Sequence, residues 1–145
     1  MLNNLSQYFL PEYEFYLEEI KYNRLSVSEK DNDNLICKDT LSADLIDTGV
    51  RLLITRNLAF EESQLFDLSV SYGAVLTFDE SRSIEINWNE LDLAREFKDN
   101  GGFVLNNLMS RISLLIAQIT SSFGQMPLVL PPVIPENDSE TKYNE

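Results

Sequence analysis

The sequence contains no histidine and a single cysteine. Without histidine the chain lacks the commonest general base, the histidine-containing catalytic triads and the usual zinc ligand. Cys37 cannot form an internal disulfide, which suits a reducing compartment, and one thiol cannot build a thiolate metal site. With no histidine to activate it, Cys37 fits a small buried residue better than a nucleophile. We therefore expect no metal, no cofactor and no enzymatic activity.

Basic residues are scarce. Lys and Arg total 11 against 24 acidic residues, which gives a net charge of −13. Nucleic acids and anionic membrane surfaces attract clustered basic residues, so neither is an expected partner. The acidity favours solubility and attraction to basic partners, among them unfolded secretory chains with Lys/Arg-rich N-terminal regions.

The sequence also lacks a recognisable targeting or membrane segment. Residues 1–9 have no basic region and no long apolar run, so they do not form a signal peptide. Residues 103–120 are the longest helix-like apolar segment, but Asn107 and Arg111 are among the polar residues that interrupt it, which argues against a membrane span. We expect a cytoplasmic protein without membrane insertion.

Four segments carry the signals of β-strands. Residues 13–27 alternate with a change of phase between Phe15/Leu17 and Ile20/Tyr22, which indicates a bulge. Two further strands are predicted at 35–46, where the pattern is weak, and at 50–56. The clearest alternation predicts a fourth strand at 66–78, and at ~3.3 Å per residue it would be roughly 40 Å long. One face of this strand consists of Phe66, Leu68, Val70, Tyr72, Ala74, Leu76 and Phe78.

A long helix is predicted after the break at residues 99–102. A helix of about 20 residues spans ~30 Å and matches the fourth strand. The fold class is therefore α+β, with a four-stranded antiparallel sheet covered on one face by a long C-terminal helix. Leu114 and Ala117 widen the apolar stripe of the helix, which predicts self-association. We assign the oligomer interface to Leu108, Ile112, Leu115 and Ile119.

The chain is expected to form one domain over residues 13–135. We expect residues 1–12 to be a loose leader and the polar residues 136–145 to be a disordered acidic tail. Between the fourth strand and the long helix, residues 84–88 are interpreted as a short strand or turn and residues 91–97 as a short helix.

An apolar, proline-rich segment follows the long helix at residues 126–135. Four prolines exclude a helix or a central strand, so we expect a stiff, extended loop. The loop could pack over the sheet as core lining or form a wall of a groove for extended peptide, and both can hold for alternate side chains. The predicted groove residues are Leu128, Val129, Leu130 and Val133, with Trp88 and Phe97 as the opposite wall.

The order of these elements resembles the SecB family of export chaperones. Residues 66–76 are similar to the family's last strand, where an aromatic start leads to a small-residue pair, here Gly73 and Ala74, and then to hydrophobic residues. Residues 19–27 look like the first strand. The helix with residues 126–133 resembles the family's helix and its Phe-Pro, Leu-x-Leu-Ala-Pro-Val loop.

The resemblance implies a homotetramer, a dimer of dimers, with the long helices at an interface. It also implies ATP-independent holding of nonnative precursor polypeptides in apolar grooves between sheet and loop, as in protein export. Family members dock on the SecA motor ATPase through acidic and apolar positions of the first and last strands. The matching positions are Arg24, Ser28, Asp67 and Ser69, which do not keep the acidic pattern and argue against SecA docking.

Three functions remain open at this level. A holdase chaperone is favoured by the surplus of apolar and aromatic residues on an acidic chain. The alternative is a non-catalytic homo-oligomeric interaction protein, for example a SecB-like antitoxin-associated or phage protein, whose apolar faces are used up in self-association. An enzyme ranks third, because it would need a carboxylate site formed only by tertiary contact.

Overall fold

The computed structural model describes residues 2–25, 34–61, 66–123, 127–134 and 140–144. The predicted order of four antiparallel strands followed by a long helix is confirmed. In chain order the elements are a 3-10 turn (Leu5–Tyr8), β1 (Glu14–Arg24), β2 (Asn34–Ile46), β3 (Gly49–Phe60), β4 (Phe66–Thr77), α1 (Glu80–Ser83), a second 3-10 turn (Trp88–Glu90), α2 (Leu93–Asn100), α3 (Gly102–Ser121) and β5 (Glu140–Asn144).

The sheet has the strand order β1-β4-β3-β2-β5, with every neighbouring pair antiparallel. The bulge predicted in β1 lies between Leu17 and Glu19. It reverses the alternation, so Leu17 pairs with Tyr72 before the bulge and Ile20 pairs with Val70 after it. Directly opposed residues share a face, and Leu17, Ile20 and Tyr22 of β1 therefore lie on the same side of the sheet.

Gly73 and Ala74, the small-residue pair of β4, point to opposite faces of the sheet. Each position holds a small residue for a different reason. Ala74 is fully buried. Gly73 is opposite Tyr16 of β1, and a Cβ at this glycine would lie 2.2 Å from Cζ of that ring. The tyrosine ring therefore covers the glycine, and a larger residue would have to displace it.

Helix α3 packs its apolar stripe on the inner face of the sheet, the face to which Val50, Leu52 and Ile54 of β3 point. By length and composition alone α3 could cross a membrane, and about a third of it is buried inside the protein. Its residues Leu108 and Ile112 are fully buried within the chain. Burying each such side chain contributes about 1.5–3 kcal/mol.

The short elements after β4 differ in part from expectation. Of the strand or turn expected at residues 84–88, the structure has the turn at residues 84–87, and Trp88 begins the second 3-10 turn. The helix expected at 91–97 is present as α2 and extends to Asn100. It begins where the Asp92 side chain accepts a hydrogen bond from the Arg95 backbone N–H at 3.3 Å, an ordinary N-terminal cap.

The N-terminal segment is part of the core, which corrects the expected loose leader. Leu5 and Phe9 are buried, and Phe9 forms a β-bridge with Phe78. The Leu2 backbone N–H donates to Oε2 of Glu96 at 3.1 Å. The segment is ordered because its apolar residues close the end of the layer between sheet and helices.

The C-terminal segment also departs from expectation. Residues 140–144 form β5, which pairs antiparallel with β2 from Asn34↔Asn144 to Lys38↔Glu140. The disordered tail predicted at 136–145 is corrected for this stretch, while residues 136–139 and 145 lie outside the described residues. A polar sequence can form an edge strand because the pairing uses backbone groups alone.

Candidate polypeptide-binding surface

The proline-rich loop, described over residues 127–134, runs back along α3 without helix or strand. Its start is fixed near the end of α3, where the Leu128 backbone N–H donates to Oγ1 of Thr120 at 2.8 Å. Two turns earlier on the helix, Oγ of Ser113 donates to the Leu130 carbonyl oxygen at 2.6 Å. The loop is therefore antiparallel to α3 and held to one of its sides.

A buried ion pair holds the far end of the loop. Arg56 of β3 is 1% exposed, and it lies directly opposite Asp39 of β2. Its Nε and Nη2 donate to the two carboxylate oxygens at 2.7 and 2.8 Å, a bidentate geometry. Its Nη1 donates to the Pro131 carbonyl oxygen at 2.9 Å, and its Nη2 also donates to that of Val133 at 3.2 Å. The pair thus links the core to the loop.

Sequence reasoning missed this ion pair. The signal was available, because Arg56 follows Val50, Leu52 and Ile54 at even spacing and must share their inward face. An arginine on that face needs a buried partner. Asp39 supplies it only through the register of β2 on β3, which the weak pattern of β2 did not reveal.

The loop residues divide between core and solvent. Leu130 is 6% exposed and lines the core, while Leu128 is partly buried against it. Val129 and Val133 are 76% and 57% exposed. Of the four residues predicted to line a groove, these two valines therefore offer the accessible apolar surface.

Trp88 and Phe97 do not form an opposite wall, which corrects that part of the predicted groove. Both are buried in an aromatic cluster with Phe9 and Phe78, whose ring centroids lie 4.9–5.8 Å from those of their neighbours. The indole Nε1–H of Trp88 donates to the Ser83 carbonyl oxygen at 3.1 Å, so its polar atom is satisfied internally. The N-terminal segment, through Phe9, therefore covers both rings.

Two cavities flank Ile134 at the end of the loop. One, of about 480 Å³, lies between α2, α3 and the loop, and Leu105 and Met109 contribute to its wall. The other, of about 330 Å³, lies between α2 and the middle of β2. Lys98 and Ile134 line both cavities. The loop surface therefore continues toward the β2 edge of the sheet.

A second apolar surface lies on β1. Leu17, Ile20 and Tyr22 point to the inner face but remain 46%, 42% and 42% exposed. Helix α3 covers this side only in part, with the Arg111 guanidinium 4.6 Å above the Phe15 ring. Residues 111 and 113 point to opposite sides of a helix, so the β1 surface and the loop lie on either side of α3. Within the described residues β1 pairs with β4 alone.

The four predicted oligomer-interface residues differ in how far they are buried. Leu108 and Ile112 are fully buried inside the chain and cannot contact another copy. Leu115 and Ile119 are only partly buried. Leu114, the residue that widened the predicted stripe, is 62% exposed on the outward side of α3.

Cys37 is a core residue. Its side chain is buried, and its Sγ lies 3.9 Å from Oδ1 of Asp39. Burial raises the pKa of this thiol to about 11, so it stays protonated near neutral pH. In the parts of the chain that the structure describes, no group of three or more His, Cys, Asp or Glu side chains could hold a metal ion.

The four long strands, the covering helix and the loop that returns along it make up a SecB-like fold. A similar solved structure is the Rv1957 SecB-like chaperone of Mycobacterium tuberculosis in complex with a ChAD peptide from the Rv1956 HigA1 antitoxin. The two match with a TM-score of 0.65 and 12% sequence identity, over 88% of this chain and 92% of that chain. The fold expected from the resemblance is thereby confirmed. No protein-family model and no curated protein sequence matches the chain.

Proposed function

We propose that this protein is an ATP-independent holdase chaperone that binds extended segments of nonnative polypeptides. The observation that carries the proposal is the exposure of Val129 and Val133 on a loop that Arg56 ties to the core. Because the loop is already fixed, it loses little conformational entropy when its apolar side chains bind a client. The peptide bound to Rv1957, a chaperone of the same fold, supports a polypeptide as the ligand.

The energetics of this surface suit transient holding. Burying the two valines would contribute about 3 kcal/mol, which is roughly two powers of ten in Kd. Such contacts tolerate many sequences because apolar burial is non-directional. The net charge of −13 adds attraction for basic segments such as those of precursor polypeptides.

Charged substitution of the loop tests the proposal. Val129→Asp with Val133→Asp should lower the affinity for a permanently unfolded, fluorescently labelled client at least tenfold. It should also abolish suppression of client aggregation in light scattering. Leu130 is unsuitable for this test, because a carboxylate at that buried position would unfold the protein.

Ile84→Asp is the matched control. Ile84 is 81% exposed but lies in the turn after α1, away from the loop. This variant has the same type of change and should hold the client like the wild type. Equal holding by the loop variant and the control, with both folded, would show that the loop is not the client surface.

We also propose that copies of the chain associate into a dimer or tetramer. The support is the outer edge of β1, which pairs with no further strand in the described part of the chain and whose apolar residues Leu17, Ile20 and Tyr22 are exposed. Unpaired apolar edge strands invite a second strand. Leu17→Lys with Ile20→Lys should halve the mass measured by light scattering, from two chains to one or from four chains to two. An unchanged mass would exclude this edge as the contact.

The rival function is a non-catalytic homo-oligomeric interaction protein. The β1 surface favours it, because self-association there consumes apolar area. The rival predicts an oligomer without affinity for unfolded chains, whereas the chaperone proposal predicts both properties in one particle. Measuring mass and client affinity on the same sample separates the two.

The proposed setting is the cytoplasm, where a chaperone would meet precursor polypeptides before export. Docking on SecA is not included in the proposal. Arg24 stands at one of the matching positions on the first strand, where it is exposed, and Asp67 stands at another on β4. Ser28 lies outside the described residues.

A further inference from the structure

The β2 strand is an edge that the chain covers only in part with its own C-terminal segment. From Leu35 to Ile46, β2 pairs continuously with β3 on one side. On its other side β5 pairs with residues 34–38 alone. On that second side, the β2 backbone beyond Lys38 pairs with no strand among the described residues.

We propose that the β2 edge is a strand-acceptor site for extended polypeptide, and that residues 140–144 occupy it in cis. This inference rests on the proposed holdase function and deepens it by assigning a second contact for the client. Antiparallel strand addition uses backbone hydrogen bonds, so it accepts segments of many sequences. That tolerance is what a chaperone with varied clients requires.

The position of the edge next to the loop supports this site. Ile134, at the end of the loop, lines the same cavity as Thr40 and Leu41 of β2. A polypeptide that crosses the exposed valines of the loop can therefore continue along the β2 edge toward Lys38. There it would compete with β5, which pairs with residues 34–38.

The cis strand is suited to be displaced. It is five residues long and pairs with β2 through five residue pairs alone. A strand with so few pairings opens at a small cost compared with the global stability. If β5 is paired with β2 in about nine molecules of ten, only about one molecule in ten has a free β2 edge, and the apparent affinity for the client is then about tenfold weaker.

Full-length proline variants provide the test. Successive N–H groups of a strand point to opposite sides, so only one of the pairs Glu140/Lys142 and Thr141/Tyr143 aims its N–H groups at β2. Replacing each pair by proline gives two variants, of which one loses the pairing with β2. Both keep the net charge, because the first removes one acid and one base and the second removes neither.

Affinity for a permanently unfolded client and hydrogen exchange of residues 140–144 are then measured for the wild type and both variants. We expect one variant, the one whose tail amides lose protection, to bind the client about tenfold more tightly, and we expect client to accelerate tail exchange in the wild type. Equal client affinity in all three proteins, with the wild-type tail still protected in the complex, would overturn the inference and leave the holdase function standing. If none of the three binds the client, the proposed function fails and the inference with it.

Discussion

Replacing Arg56 by methionine tests whether the buried ion pair supports the fold and the loop. The substitution keeps a long apolar stem but leaves the Asp39 carboxylate, otherwise bonded at 2.7 and 2.8 Å, buried without its cation. Removing one partner of a buried ion pair typically costs about 3–5 kcal/mol. The carbonyl oxygens of Pro131 and Val133 also lose a donor. We expect the free energy of unfolding to fall by about 4 kcal/mol, a factor of roughly 10³ in the unfolding constant.

Urea unfolding can follow this change through Trp88, the only tryptophan of the chain, which is buried in the aromatic cluster. The double variant Arg56→Met with Asp39→Leu is the control, because replacing both charges by apolar groups is often neutral for stability. It should recover most of the lost stability while the loop amides, no longer anchored at Pro131 and Val133, exchange faster. A loss below about 1 kcal/mol in the single variant, or no recovery in the double variant, would refute the reasoning.

Two further predictions concern buried residues. Cys37 should resist alkylation in the folded protein at pH 8 and react once urea unfolds it. Because burial raises its pKa from 9.0 to about 11, the free energy of unfolding should also fall as pH rises from 9 to 11. This fall should be smaller in Cys37→Ala. Rapid labelling of the native thiol would contradict its burial. Phe97→Ala should lower the free energy of unfolding by about 3–5 kcal/mol, measured by thermal unfolding, because it leaves a cavity in the aromatic cluster. A stable Phe97→Ala protein with impaired client binding would instead place this ring on a groove wall.

Strong periodicity made the sheet and the long helix predictable. The alternation from Phe66 onward and the change of phase in β1 follow from the two-residue repeat of a strand, which needs no knowledge of neighbours. The proline-rich loop was predictable for a similar reason, since proline excludes helix and central strand locally. Its division into buried Leu130 and exposed Val129 follows the alternate side chains expected of an extended segment.

The candidate site was only partly predictable, because contact between distant segments decides burial. The sequence predicts Trp88 and Phe97 as groove residues, but Phe9, almost 80 residues away from the tryptophan, packs on both rings. The N-terminal segment gave no periodic signal, since a 3-10 turn and one bridge are too short to produce a pattern. Local composition cannot show which residues cover each other.

The sequence by itself determined the class of each long element, the bulge in β1 and the extended form of the loop, since these depend on steric preferences and on the spacing of apolar residues within one segment. Tertiary structure alone decided that Arg56 meets Asp39, that this pair reaches the loop carbonyls, and that a polar tail becomes a fifth strand. Each of these requires the register and placement of segments far apart in the chain. The partner of an edge strand or of a buried charge is the group that lies next to it in space. Those positions are set only when the sheet forms.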